Sequence, residues 1–272
     1  MSEFGRARAT LERFRNPDGG FGLHPGHPSE PEPSAMAAIA LDDDDARGWL
    51  LGHQRADGSF GLVDGAFADD ASTPFAALAL PDGAAREAAL DHVEATHGVE
   101  TPFFPEIPID PTIPGWGWNA GTASWVEPTA RALWALRLLR PTSQRIEDAV
   151  ALLRDREAEG GGWNHGNPEV LGTAIPPNPL PTAITLIAIN GIDADLESRG
   201  RDAFLREWRS DTPGPLTIAA GIVALGRHDV SGDVEELRSA LLELVREPIL
   251  DYDGVAWSWI ALTEDGGRVV FP

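Results

Sequence analysis

The sequence predicts an all-α fold, a closed (α/α)6 barrel of six inner and six outer helices. Two recurring features support this prediction. A Gly-rich turn that ends in an aromatic residue appears four times, and an apolar helix that opens with proline or a small hydroxyl residue follows each copy. Helices with one charged side lie between these segments. Such amphipathic helices are typical of outer positions, whereas helices that are apolar nearly all round are typical of interior ones.

The Gly-rich turn is the first element of each repeat. Its copies read PDGGFG, ADGSFG, PGWGWN and EGGGWN, at 17–22, 56–61, 114–119 and 159–164. The apolar helices are predicted at 33–41, 73–80, 128–139 and 181–189, with weaker copies at 216–225 and 257–262. Proline, serine and threonine at their starts are ordinary helix-start residues.

The charged helices complete the repeat. They are predicted at 45–55, 84–96, 143–157, 196–209 and 233–246. Six apolar helices therefore alternate with only five charged ones, and the N-terminal helix at 2–15 supplies the sixth. We expect it to pack against the last apolar helix and to close the ring, so that residues 1–272 form a single domain.

Composition limits the class of protein. The chain of 272 residues has a net charge of −22, and all of its 21 basic residues are Arg. A surface this negative argues against nucleic acid and anionic lipid as partners. The chain has no run of about 18 apolar residues, so no membrane span is predicted. Its charged start does not resemble a secretion signal. The chain contains no cysteine, which agrees with a cytoplasmic location. The oligomeric state is not predicted.

One stretch resembles a known family. RGWLLGHQRADGSFG at 47–61 is similar to the QW repeat of the squalene–hopene cyclase and protein prenyltransferase superfamily. The matching positions are Arg47, Gly48, Trp49, Leu50, Gln54, Gly58 and Phe60. The other copies lack the glutamine. The resemblance implies an (α/α)6 toroid with a central apolar cavity.

The same resemblance implies a function. A short, stand-alone terpenoid-cyclase-like enzyme, an isomerase or a lyase, would act on an isoprenoid or another apolar polyene by acid catalysis. Two alternatives stay open on the same fold: a non-catalytic binder of a hydrophobic small molecule, and a structural interaction module.

The long connections of such a ring, from each outer helix to the next inner one, meet at one rim. Two of them contain Pro-rich insertions, at 99–114 and 167–181. In the first, proline recurs every third residue from Pro102 to Pro114, a rhythm typical of polyproline II. We expect these insertions either to cover the cavity mouth as a lid or to brace the outside of the barrel.

The candidate catalytic acids are carboxylates before inner helices on this rim. A cyclase of this family needs a protonated carboxylic acid, kept so by a dry site. Asp69 and Asp70 precede the second inner helix, and Glu127 opens the third. Glu30 and Glu32 precede the first. Each acid has an alternative role as a helix N-terminal carboxylate that interacts favourably with the helix dipole.

The candidate substrate-binding residues are aromatic or cationic. Aromatic faces stabilise carbocations. The set consists of Trp116, Trp118, Trp125, Arg131, Trp134, Trp163, His165 and Trp257. Arg131 lies in an apolar helix and needs a partner, either Glu127 one turn earlier or an anionic group of a ligand. The aromatic residues have the alternative role of scaffold.

No cofactor is expected. Protein prenyltransferases bind zinc through Asp, Cys and His, and a chain without cysteine cannot build that site. A zinc or other metal site formed by His24, His27 and His165 remains an alternative.

The acidic run LDDDDARG at 41–48 resembles the D-x-D-D pattern of the cyclases. It follows an inner helix and therefore belongs on the rim opposite the long connections. We expect its four Asp residues to cap and open the next outer helix.

Overall fold

Repeating helix pairs dominate the computed structural model, which describes residues 9–61, 71–210, 213–226 and 231–244. The apolar helices are α1 (Pro31–Leu41), α3 (Thr73–Ala79), α5 (Val126–Leu139), α7 (Pro179–Ile189) and α9 (Pro215–Leu225). The charged helices are α2 (Asp44–His53), α4 (Ala84–Ala95), α6 (Arg145–Asp155), α8 (Ala194–Ser210) and α10 (Ser231–Leu244). A short 3-10 helix spans Glu12–Phe14. The prediction of an all-α fold is confirmed for these ranges.

The apolar helices form one layer and the charged helices a second. Each apolar helix packs on the next one along the chain, from α1 through to α9, and each charged helix packs on the apolar helix that precedes it. Burial agrees with this arrangement, since α7 buries nearly every residue whereas α6 buries only one face. The apolar helices are therefore the inner layer and the charged ones the outer layer, as their hydrophobic patterns indicate.

The two ends of the chain decide whether this arc closes. The sixth inner helix, predicted at 257–262, lies outside the described residues, as does the first half of the N-terminal helix predicted at 2–15. The described end of that helix contributes Leu11 and Phe14 to the core.

A hydroxyl group joins each Gly-rich turn to its inner helix. The backbone N–H of the turn's aromatic residue donates to a serine or threonine near the helix start. The pairs are Phe21 with Ser34 (2.9 Å), Phe60 with Thr73 (3.3 Å), Trp116 with Thr129 (3.0 Å) and Trp163 with Thr182 (2.9 Å). The two sequence signatures of the repeat are therefore the two halves of one buried hydrogen bond.

This hydroxyl link predicts a difference between two threonines of α7. Thr182→Val should lower the free energy of unfolding by about 1–3 kcal/mol, because it leaves the buried N–H of Trp163 without its acceptor. Thr185 is equally buried, and its hydroxyl has no hydrogen-bond partner among the described residues. Thr185→Val is the matched control and should be neutral or stabilising. Urea unfolding of both variants measures the difference, and equal losses would contradict the link.

The acidic run at 41–48 joins α1 to α2. Asp42 adopts a left-handed conformation at the C-terminal end of α1 (φ 54°). Asp43 is the N-cap of α2 and accepts a hydrogen bond from the backbone N–H of Ala46 at 2.8 Å. Asp44 and Asp45 lie in the first turn of α2. The role predicted for this run is confirmed for Asp43, Asp44 and Asp45, whereas for Asp42 it is wrong, because Asp42 ends α1 instead of opening α2.

The second Pro-rich insertion contains a small β-hairpin that the sequence did not predict. Strands β1 (Glu169–Val170) and β2 (Thr173–Ala174) pair antiparallel.

Within the described ranges, no helix has both the length and the apolar character needed to cross a membrane.

Candidate active site on the inner helices

Three residues of α5 form a stripe that faces the inside of the arc. Glu127, Arg131 and Trp134 follow each other at spacings of four and three, which puts them on one helix face. Arg131 Nη1 bonds Glu32 Oε1 of α1 at 2.9 Å, and Trp134 packs edge-to-face on Phe75 of α3, with ring centroids 5.6 Å apart. Because α1 and α3 are inner helices, this stripe faces the interior. Glu127 lies at its N-terminal end.

Glu127 and His165 form a hydrogen-bonded pair of a buried carboxylate and an exposed imidazole. Glu127 Oε2 lies 3.0 Å from His165 Nδ1. The Glu127 side chain is 7% exposed and the imidazole 60% exposed. A backbone bond from Val126 N to His165 O (3.2 Å) fixes the loop before α7 against the start of α5. The hydrogen bond to Glu127 raises the pKa of His165 against the lowering effect of burial. The hydrogen bond therefore connects an imidazole that contacts solvent to a carboxylate inside the fold.

Arg131 is held by a different acid from the nearest one in the sequence. Its guanidinium pairs with Glu32, not with Glu127 one turn earlier, and lies over the rings of Phe75 (4.8 Å) and Trp118 (5.4 Å). The Ser72 hydroxyl lies 3.5 Å from the other oxygen of Glu32. The sequence allowed two partners for Arg131, and Glu127 is the wrong one, because the Glu127 carboxylate bonds His165 instead.

Glu32 is not among the candidate catalytic acids, although the sequence contains a signal that relates it to Glu127. Glu32 and Glu127 occupy equivalent positions in their repeats, in EPS at 32–34 and EPT at 127–129. Each glutamate stands two residues before the hydroxyl that binds the preceding turn. A repeat alignment centred on that hydroxyl would have found the two acids together.

Trp116 and Trp163 are built into the scaffold. Their side chains are buried, with 1% and 0% exposure. The indole N–H of Trp116 donates to Val93 O near the end of α4 (2.8 Å), and that of Trp163 donates to Leu153 O in α6 (2.7 Å). Each indole therefore ties a Gly-rich turn to the preceding outer helix.

Trp118 and Trp125 lie on the loop that leads into α5, and both keep part of their surface exposed. Trp118 faces Arg131, whereas Trp125 lines a pocket beneath the first insertion. That insertion is tied to the second one by a bond from Leu171 N to Glu106 O (2.7 Å). It is also tied to α6, where both carboxylate oxygens of Asp155 accept from Asp110 N (3.3 and 3.1 Å).

Five other predicted site residues lie either outside the described residues or on the surface. Asp69, Asp70 and Trp257 lie outside the described residues. His24 and His27 are exposed and contact each other edge-to-face at 5.0 Å. Across the described ranges, no three His, Asp or Glu side chains are grouped as metal ligands.

The acid–base pair predicts a pH dependence. The raised pKa means that the pair's contribution to the free energy of unfolding is complete below the ordinary value of 6.5 and is lost as pH rises through the raised value. Glu127→Gln should return the pKa of His165 towards 6.5. NMR titration of the imidazole C–H measures this shift. Glu32→Gln is the control and should leave the titration of His165 in place; an unchanged titration in Glu127→Gln would contradict the pairing.

The comparisons with known proteins define the class of this fold. No protein-family model matches the chain, and no curated protein sequence is significantly similar to it. Solved structures are similar, and they show that the chain has a terpene cyclase-like fold.

Three of these structures illustrate the likeness. A protein from Actinoplanes has a TM-score of 0.58 at 15% identity, over 97% of this chain and 81% of that one. The type II terpene cyclase MstE from Scytonema, in its apo form, has a TM-score of 0.59 at 16% identity, over 89% and 77%. A variant of MstE in complex with its substrate geranylgeranyl dihydroxybenzoate has a TM-score of 0.58 at 17% identity, over 90% and 77%.

Proposed function

We propose that this chain is a terpenoid-cyclase-like enzyme that acts on an isoprenoid or another apolar polyene by acid catalysis. The observation that supports this most directly is the buried Glu127 carboxylate on the inner face of α5, bonded to the exposed His165 at 3.0 Å. The terpene cyclase-like fold agrees with the proposal, since MstE is a type II terpene cyclase whose substrate bears a geranylgeranyl chain. Glu127 would be the catalytic acid.

The proposed chemistry needs only a proton. His165 takes up a proton from solvent, and the pair is then an imidazolium beside a carboxylate. When an apolar substrate excludes water, the neutral pair becomes favoured over the ion pair, which moves the proton onto Glu127. Glu127 then protonates one carbon of a double bond, and the adjacent carbon becomes a carbocation. A second double bond attacks this carbon and closes a ring. Loss of a proton from the final cation completes an isomerisation without a cofactor.

The inner stripe suits the rest of this reaction. Phe75, Trp118 and Trp134 present aromatic rings that would stabilise cations. Arg131, paired with Glu32, would hold an oxygen-bearing end of the substrate and keep the developing cation at a distance from that end. Ile39 and Leu78 occupy the register of Trp134 on α1 and α3 and remain partly exposed, as expected for the wall of a central cavity.

The remaining parts of the proposal concern the substrate-binding set and the whole chain. Trp125 and His165 would line the cavity mouth, and Trp257 would line the cavity from the sixth inner helix. We leave Trp116 and Trp163 out of this set because their indoles donate to backbone carbonyls inside the scaffold. Asp69 and Asp70 are the rival acids. The chain would form one closed (α/α)6 ring, with the insertions at 99–114 and 167–181 on its rim, in the cytoplasm and without a metal.

Turnover in heavy water tests this function. Geranylgeranyl dihydroxybenzoate and linear polyprenols are incubated with the protein in D2O, and cyclic products are sought by mass spectrometry. A cyclised product with one deuterium on carbon supports acid catalysis. The variants Asp69→Asn, Asp70→Asn and Glu127→Gln, singly and together, then identify the acid. Unchanged turnover in all of them would rule out these three carboxyl groups.

A second candidate is a non-catalytic binder of a hydrophobic small molecule. One observation favours it: the guanidinium of Arg131 already lies over Phe75 and Trp118, on aromatic faces that a cyclase would offer to a carbocation. Native mass spectrometry of the purified protein tests this candidate. An apolar ligand that is retained and released unchanged would favour the binder over the enzyme.

A further inference from the structure

A pocket of about 200 Å³ lies beneath the first Pro-rich insertion, and Trp125, the residue before α5, lines it. Most of its wall is hydrocarbon, from Val99, Phe103, Ile107, Ile113 and Trp125. Phe103 is 64% exposed and Val99 44% exposed, so large apolar side chains face solvent around a concave surface. Exposed apolar groups of this kind, gathered around a concavity, mark binding sites in soluble proteins.

The pocket is preformed because the insertion is fixed on three sides. Its stem is closed by bonds from Gly98 N to Gly115 O and from Val99 N to Thr122 O, both 2.9 Å. Its far side is held by Asp155 and Arg156 at the end of α6, and its middle by the β-hairpin of the second insertion. Ligand binding would therefore not have to order the insertion, because folding has already fixed its conformation.

One cationic side chain lines the apolar pocket and can donate hydrogen bonds to a ligand. Arg156 lines the pocket, and its side chain is only 4% exposed. Burial lowers its pKa to about 10, so it is charged at neutral pH. It pairs with Asp155 and donates to Asp110 O at 3.4 Å. Among the described residues these contacts engage two of the five guanidinium N–H groups, which leaves donors for an oxygen of a ligand.

The charge balance favours a neutral ligand. Asp155 already neutralises Arg156, and the chain as a whole has a net charge of −22, which repels anions. The volume suits a small body, since a cavity of about 150 Å³ lined by apolar side chains holds a benzene molecule.

We propose that this pocket binds a small neutral oxygenated hydrocarbon, with about one ring or one branched five-carbon unit beneath the insertion and its oxygen bonded to Arg156. Neither Glu127 nor His165 lines this pocket, although Trp125 borders it, and the proposed binding does not depend on the proposed cyclase reaction.

Three probes of one size test the site: toluene, benzyl alcohol and benzoate. Each is titrated into the full chain while the indole N–H resonance of Trp125 is followed by NMR, with the scaffold residue Trp116 as internal reference. We expect benzyl alcohol to bind about 3- to 10-fold more tightly than toluene, the gain typical of one hydrogen bond. Benzoate should bind more weakly than benzyl alcohol.

A filling variant locates the binding. Ala123 lines the pocket, whereas Ala120 is exposed nearby and does not. Ala123→Leu should weaken benzyl alcohol binding by at least about tenfold, because the larger side chain occupies pocket volume and removes apolar contact area from the ligand. Ala120→Leu should not change the binding. If Ala123→Leu does not fold, Thr101→Trp fills the pocket from its exposed edge. The proposal is overturned if Trp125 does not respond up to the solubility limit, if neither filling variant weakens binding, or if benzoate binds most tightly.

Discussion

Replacing Glu127 with glutamine is expected to lower turnover by about 10²- to 10⁴-fold, the contribution typical of a general acid. The amide has the shape of the carboxyl group but cannot protonate a double bond. Initial rates of product formation in D2O, with the deuterium content of the product, measure the effect. A variant that keeps both turnover and deuterium incorporation would exclude Glu127 as the acid.

Glu32 provides the matched control, because it holds the same position in its own repeat. It pairs with Arg131 at 2.9 Å and keeps 22% of its side chain exposed. Glu32→Gln should therefore affect stability, by about 1–3 kcal/mol in the free energy of unfolding, because Arg131 loses the ion pair with the Glu32 carboxylate. Turnover of the folded protein should fall far less than in Glu127→Gln. The opposite result would identify Glu32 as the acid.

Gly58→Ala is expected to lower the free energy of unfolding by about 3–4 kcal/mol. Gly58 lies in the second Gly-rich turn with φ +85°, a conformation that costs an alanine about 1–2 kcal/mol. A Cβ atom there would also lie 2.1 Å from the backbone oxygen of Ala88, and a helix carbonyl cannot move aside cheaply. The turn packs directly on α4, so the substitution should separate neighbouring repeats. Thermal and urea unfolding measure the loss.

Gly52→Ala is the control for this substitution. Gly52 is exposed within α2, and outside the backbone of that helix no heavy atom of the described residues lies within 4 Å of the position that its Cβ would take. Alanine there should stabilise the protein by about 0.5–1 kcal/mol, the cost of glycine inside a helix. Similar unfolding free energies for the two variants would show that the turn does not need glycine at 58.

The same close approach recurs in the fourth turn. Gly161 has φ +94°, and a Cβ atom there would lie 2.5 Å from the backbone oxygen of Arg199 in α8. In the second and fourth turns the glycine therefore has the same physical cause, the passage of the turn against the next outer helix. The requirement recurs at equivalent places in the repeat, so the sequence displays it as a repeated glycine.

The sequence by itself determined the repeat. Burial of one face or of all faces leaves a periodic pattern, and this pattern separated inner from outer helices with bounds within a few residues, as for α7 at Pro179–Ile189 against the predicted 181–189. The acidic run at 41–48 follows an inner helix and precedes an outer one, and this position also predicted its place at the start of the outer helix. Both conclusions depend on neighbours within a few residues, which the sequence contains.

Only the tertiary structure decided which side chains meet. Arg131 and Glu32 are 99 residues apart, and Glu127 and His165 are 38 residues apart. The local rule for spacing of four pairs Arg131 with Glu127, but an inner helix presents that face to other helices, whose charged groups compete for it. The pocket beneath the insertion also depends on a loop crossing to α6. Contacts between distant segments depend on how whole helices pack, and no local period encodes that choice.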